Sequence, residues 1–174
     1  VPTIGVSIAV PDPLGGQLQQ YRIDAGDEGA HHIPTHVTVL PPYDIERHLL
    51  AEVYAHLARA AVRMAPFKIR LRGTGTFRPI SPVVFINVVE GISECELLTA
   101  SVVAGPLVPD LRFPYHPHVT IAHELDEAEM DRAYEHWADV DASFVADAFH
   151  LYEFDSETGW EPTRTFEFGF GERR

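Results

Sequence analysis

The sequence predicts an antiparallel α+β fold. Three observations carry this: apolar residues alternate with period two in several short runs, they recur at helical spacing in four others, and turn residues join two late runs as a hairpin. Strands and helices interleave along the chain. One-sided alternation nevertheless belongs to sheets with one wet face, which antiparallel sheets have and doubly covered parallel sheets lack.

Ile4, Val6, Ile8 and Val10 share one face of a first strand, with Thr3, Gly5, Ser7 and Ala9 opposite, and Pro11 ends it. Residues 14–26 read as a short helix weakened by Gly15 and Gly16. Thr35 to Leu40 alternates again, and Pro41 and Pro42, which lack the amide hydrogen a ladder needs, are expected to stop it. Asp44 suits an N-cap for a helix in which Leu49, Leu50, Val53, Tyr54, Leu57 and Ala61 recur up to Met64. Residues 67–77 form a strand with Phe67, Ile69 and Leu71 on one face and Lys68, Arg70 and Arg72 on the other. The apolar run from Pro82 to Val89 suits a central strand. Ile92, Cys95, Leu98 and Val102 mark a helix ending near Gly105 and Pro106. His118 to Ala122 is a short strand, and the capping box Asp126/Glu129 opens a helix reaching Val140. Ala142 to Phe154 and Thr163 to Phe168 close the chain as two strands joined through Glu157, Thr158 and Gly159.

A length of 174 residues fits one domain with a buried core, and 45% hydrophobic against 22% charged residues is far from a disordered composition. The formal charge of -13 repels a nucleic acid duplex, so duplex DNA is not expected as a partner. A small phosphorylated ligand held at short range is compatible with that charge. The single cysteine, Cys95, excludes an internal disulfide and a cysteine zinc site, and reads as a small buried apolar side chain. With no secretory signal at the start and no apolar run of about 18 residues, a cytoplasmic protein without a membrane partner is expected.

The chemistry lies in a repeated tetrapeptide: His36-Val37-Thr38-Val39 and His118-Val119-Thr120-Ile121. About 0.6 His-x-Thr triplets are expected by chance in this composition, so one copy alone carries no weight. Two copies are different. Each opens a strand-turn-helix unit, residues 36–63 and 118–140, and each follows closely on a proline, Pro34 or Pro117. On a strand the imidazole and hydroxyl of each motif share a face, their Cβ atoms about 7 Å apart, while the intervening valines point to a core. A lone strand histidine is more often structural, and the matched pair reverses that preference. Two imidazoles and two hydroxyls meeting across a cleft would supply a base for the attacking oxygen, an acid for the leaving oxygen and donors for a phosphodiester's charged oxygens.

The paired motifs, 82 positions apart, resemble those of the two-histidine (2H) phosphoesterases, in particular the bacterial RNA 2′,5′-ligase and 2′,3′-cyclic phosphodiesterase branch. Phe67 to Phe77 (FKIRLRGTGTF), Pro82 to Val89, Phe113 to Ala122 (FPYHPHVTIA) and Leu151 to Trp160 (LYEFDSETGW) are similar to family segments in the same order, so the likeness spans nearly the whole chain. It implies a bilobal α+β fold with two pseudo-symmetric antiparallel sheets, helices outside and a central cleft, the two lobes intertwined in one domain. It further implies that His36 and His118 act as general acid and base, that Thr38 and Thr120 bind phosphate, and that no metal or other cofactor is needed. The expected partner is a nucleotide or RNA end bearing a 2′,3′-cyclic phosphate, met by a monomer. Hydrolysis leads, with 2′,5′ ligation or pure nucleotide binding as alternatives. Close relatives often carry arginine where this chain has His123, which lessens the grip on a polyanion.

Several other residues have two readings. Tyr43, Phe113 and Tyr115 flank the motifs and could stack on a nucleobase or simply pack, and His123 follows the second motif. His31, His32 and His36, or His116, His118 and His123, could in principle hold a metal, but no carboxylate falls at a convincing ligand spacing. Lys68, Arg70, Arg72 and Arg78 read better as a solvated sheet face than as a phosphate strip.

Overall fold

The computed structural model describes residues 1–111 and 114–169. Its strands are β1 (Thr3–Ala9), β2 (His36–Asp44), β3 (Phe67–Thr76), β4 (Val83–Glu90), β5 (His118–His123), β6 (Asp141–Ala146), β7 (Ala148–Asp155) and β8 (Gly159–Glu167). The helices are α1 (Leu14–Asp24), α2 (Leu50–Val62), α3 (Ile92–Val102) and α4 (Glu127–His136). All strand pairs are antiparallel, in the order β6-β3-β4-β5-β2-β1-β7-β8. The expected α+β architecture with two pseudo-symmetric halves is what forms. Its two sheets are continuous with each other: β2 and β5 join at a single pair, Val37 with Val119.

The core lies between one face of this sheet and the helices. Val37, Val119, Ile121, Val84 and Ile86 supply the sheet side, Leu57, Leu98 and Met130 the helix side, all fully buried. Burying each such side chain contributes about 1.5–3 kcal/mol. The halves are interlocked, because α1 follows β1 yet packs on β5, and α3 follows β4 yet packs on β2. Neither half can close its core without a helix from the other.

Three expectations fail at boundaries. Strand β2 runs through Pro41 and Pro42 to Asp44, since its pairing with β1 continues on one side while β5 has already left the other, so missing amides cost no ladder bond there. Asp44 consequently is no helix cap: it accepts a hydrogen bond from the Thr3 hydroxyl at 2.5 Å, and α2 begins six residues later, after a 3-10 turn at Arg47–Leu49. The apolar stretch Ala142 to Phe154 is two strands, parted at Asp147, with β6 pairing β3 at one edge and β7 pairing β1 in the other half. The burial phase changes there, from Phe144 and Ala146 turned inward in β6 to Phe149 and Leu151 in β7, and a reading of the run as one strand passes over that change.

Asp126 caps α4 as its capping box predicts, accepting the Glu129 amide at 2.8 Å, although the helix stops at His136 instead of reaching Val140. Replacing Asp126 with Ala should lower stability by about 0.5–2 kcal/mol in denaturant titration, with the slope unchanged.

Candidate active site

The Val37–Val119 pair sets the geometry of everything around it. In an antiparallel ladder, one step to either side brings His36 opposite Thr120 and Thr38 opposite His118, with Cβ separations of about 5 Å for directly opposed pairs. Both valines point into the core, so all four polar residues lie on the other, concave face. Each of the four is half-buried.

The two imidazoles are held alike. His36 Nδ1 lies 2.6 Å from the Pro34 carbonyl oxygen, and His118 Nδ1 lies 2.6 Å from the His116 carbonyl oxygen. A carbonyl only accepts, so in both rings Nδ1 carries the proton and Nε2 is left free to take or give one. Burial lowers the pKa of both histidines below the ordinary value; the carbonyl bonds oppose the shift and neighbouring charges reinforce it. For His118 those charges include His116 and His36, so the two motif rings feel each other's protonation.

The His118 ring sits in an aromatic frame. Phe77 and Phe85 stand 5.0 and 5.1 Å from it, centre to centre, and His116 stands at 5.7 Å. Gly75 makes room for that frame: a Cβ there would fall 2.6 Å from the Phe85 ring. On the other side, Ser7 of β1 is buried and opposes Thr38.

Two cavities flank this row. A small one of about 100 Å³ includes His36, Thr38, Ser7, Tyr152 and Trp160 in its wall. A larger one of about 510 Å³ includes Thr38, His118, His116, Phe77, Tyr115 and Asp110. Thr38 borders both, while Thr120 lines neither and opposes Phe85 in the register.

The remaining expected contacts divide. Tyr115 lines the larger cavity and donates its hydroxyl to the Thr38 carbonyl at 2.8 Å, bracing the motif strand. Tyr43 stands five residues from Thr38, an odd spacing that turns it to the opposite face, where it packs against the core. His123, the last residue of β5 and beyond its bulge, is exposed near Glu124 and lines neither cavity. Phe113 lies outside the described residues. Among the described residues no group of three His, Cys, Asp or Glu converges in the manner of a metal site. His31 is exposed, and His32 hydrogen-bonds the Thr158 carbonyl at 2.9 Å. Burial, assisted by Glu94 and Glu96, pushes the Cys95 thiol up to about 12, which removes it as a nucleophile.

The basic residues are engaged elsewhere. Arg70 forks onto Asp141 at 2.9 and 2.7 Å, Lys68 meets Glu90 at 3.2 Å, and Arg78 spans Glu127 and Asp131. The strand's cationic side is thus a neutralised outer face.

Ser7, Phe77, Phe85, Tyr152 and Trp160 are site residues that the sequence reading did not single out. A signal for Ser7 exists: the Thr3-Gly5-Ser7-Ala9 face of β1 is uniformly small, as a strand lining a cavity allows.

A family model described as the 2′-5′ RNA ligase superfamily matches residues 10–158. A protein of Bacillus cytotoxicus named as an inferred phosphoesterase is 28% identical over 152 residues, covering 81% of this chain and 83% of that one. A similarly named protein of Oceanobacillus iheyensis is 25% identical over 147 residues, covering 79% and 81%. Among solved structures, Escherichia coli LigT complexed with 3′-AMP superposes with a TM-score of 0.69 at 17% identity, covering 97% of this chain and 99% of LigT. A protein of Thermus thermophilus gives 0.67 at 22% identity, covering 96% and 98%. These structural likenesses establish the fold.

The lowered histidines have a consequence for stability. As pH falls below about 6.5, an unfolded chain binds protons that the folded site refuses, so stability declines from there down to the depressed folded values. The carboxylates with lowered values act only nearer pH 4 and below. Denaturant midpoints between pH 7 and 5 should therefore fall more steeply for the wild type than for a double variant, His36→Asn with His118→Asn.

Proposed function

This chain belongs to the 2′-5′ RNA ligase superfamily, and from that premise we propose that it is a metal-independent phosphodiesterase opening a 2′,3′-cyclic phosphate on a nucleotide or RNA end. The observation that carries the reading is the matched pair of imidazoles: each ring has its Nδ1 proton committed to a backbone carbonyl and its Nε2 free, on the concave face that also holds both threonine hydroxyls.

In the reaction, one Nε2 accepts a proton from water as the water oxygen bonds to phosphorus. The other, protonated Nε2 gives its proton to the ribose oxygen as the phosphorus–oxygen bond to it breaks. One water is consumed and a phosphate monoester is left on the adjacent ribose oxygen. The threonine hydroxyls donate to the non-bridging oxygens, whose charge grows in the transition state. A nucleotide as ligand is supported by the LigT complexes with 3′-AMP, NADP+ and ATP. A short ligand is favoured over long RNA by the chain's formal charge of -13, which also weighs against ligation of RNA halves as the main activity.

Replacing either His36 or His118 with Ala should lower kcat on 2′,3′-cyclic nucleotides about 10²- to 10⁴-fold without loss of folding. Thr38→Val and Thr120→Val should each cost about tenfold or more. Dialysis against chelator should leave wild-type turnover unchanged. Near-normal turnover in both histidine variants would end the proposal.

The pH profile gives a separate test. Catalysis needs one neutral and one protonated ring, and both free-site values are depressed, so kcat/KM should be bell-shaped with its maximum below about pH 6.5. Because a bound anion favours the imidazolium, the optimum in kcat should lie at higher pH than that in kcat/KM. A flat profile from pH 5 to 8 contradicts this use of the two rings.

A further inference from the structure

Beside His36 lies a pocket that the proton transfers do not themselves require. Gly5 and Ser7 of β1 form its floor; Ile33, Leu40 and Pro42 form one side, and Tyr152 and Trp160 the other. Gly5 lets the indole come close to the strand. An atom at its Cβ position would meet the Trp160 ring at 3.5 Å, so the indole rests over the β1 backbone at the end of the pocket.

Both aromatic walls are fixed by register. Tyr152 opposes Gly5 across β1 and β7, and Trp160 opposes Phe154 across β7 and β8, with those two rings 5.4 Å apart. A clasp holds the mouth: His32 bonds the Thr158 carbonyl, tying the segment that carries Ile33 to the hairpin that carries Trp160. Gly159, at φ +81°, permits that approach, since a Cβ there would lie 2.5 Å from the His32 side chain.

The chemistry of this wall is that of a flat, uncharged ligand: aliphatic sides, an indole, and the hydroxyl-bearing Ser7 and Tyr152 as the polar groups beyond the motif. The larger cavity is a poorer match, because Phe77 stands edge-on to His116 and His118, and Asp110 brings a carboxylate to its wall. Thr38 and His36 border the small pocket directly, so a phosphate held at the motifs delivers its own nucleoside there.

We infer that this pocket is the nucleobase subsite and that Trp160 is its stacking platform and the residue that makes the site prefer nucleotides to simple phosphodiesters. The inference rests on the nucleotide reading above. Stacking on an indole tolerates every base, so purines and pyrimidines should both be accepted.

The chain has two tryptophans, and the indole nitrogen of the other, Trp137, makes no hydrogen bond, so Trp137→Phe sacrifices no hydrogen bond and leaves Trp160 as the sole reporter. In that background, titration with adenosine 3′-monophosphate should quench emission saturably, whereas inorganic phosphate should compete with the nucleotide and leave emission unchanged. Trp160→Ala should weaken nucleotide binding on the order of tenfold, with inorganic phosphate binding within twofold of wild type by calorimetry. Gly5→Ala, whose methyl would lie in ordinary contact 3.5 Å from the Trp160 ring, should narrow the floor and also weaken nucleotide binding while keeping the indole. Nucleotide binding with unquenched Trp160 and undiminished affinity in both variants overturns the subsite and leaves the phosphodiesterase reading intact. If neither nucleotide nor phosphate binds the wild-type protein, the phosphodiesterase reading fails and the subsite falls with it.

Discussion

A single backbone pair, Val37 with Val119, holds the two halves of the sheet in register. Every polar group of the candidate site takes its position from that pair. Slipping the register by one residue would turn one motif's imidazole and hydroxyl into the core and its valine out onto the concave face, exchanging buried apolar surface for buried unpaired polar atoms. The fully buried valines therefore select the one alignment in which His36 meets Thr120 and Thr38 meets His118. Hydrophobic burial, spread over the sheet and the exchanged helices α1 and α3, enforces a geometry that the four polar side chains could not hold alone.

Symmetry is kept where the chemistry needs it and lost where recognition begins. Both imidazoles bond the carbonyl two residues upstream at 2.6 Å, and both hydroxyls sit two residues downstream. Around them the halves differ. His118 is framed by Phe77 and Phe85, while His36 faces Tyr152 and Trp160 across Gly5 and Ser7. On the proposed reaction, two alike imidazoles in unequal surroundings suit its distinct attacking and leaving oxygens.

What the sequence made legible follows from how local each signal is. The His-x-Thr repeat, the α4 capping box, the alternation of β1 and β3 and the apolar run of β4 depend on neighbours within a few residues, and they are found where expected. The errors came from long-range pairing. The prolines at 41 and 42 read as a strand end because a lone sequence does not show that β5 has already left that side. The step from β6 to β7 lies in a change of burial phase across Asp147, from Phe144 and Ala146 to Phe149 and Leu151, which the apolar run as a whole conceals. Tyr43 and His123 lie near the motifs in sequence, yet Tyr43 turns to the core face and His123 stands exposed at the end of β5, past a bulge. Trp160 ends the family-like segment Leu151 to Trp160, yet nothing local shows that β8 brings it beside β1.

The charge balance bears on how the proposed site of an acidic protein would meet an anion. Arg22 is buried against Asp27, Arg70 and Lys68 serve Glu90 and Asp141, Arg78 serves Glu127 and Asp131, and Arg132 serves Glu129. Among the described residues, no lysine or arginine lines either cavity. Neutral hydroxyls and whatever proton the imidazoles carry are then the donors an incoming phosphate meets. Burial keeps those imidazoles short of protons in the empty site, so on the proposed reading a bound anion would draw one in and thereby arm the general acid. A fixed arginine would hold phosphate more tightly at all pH values, but it could not return a proton to the leaving oxygen.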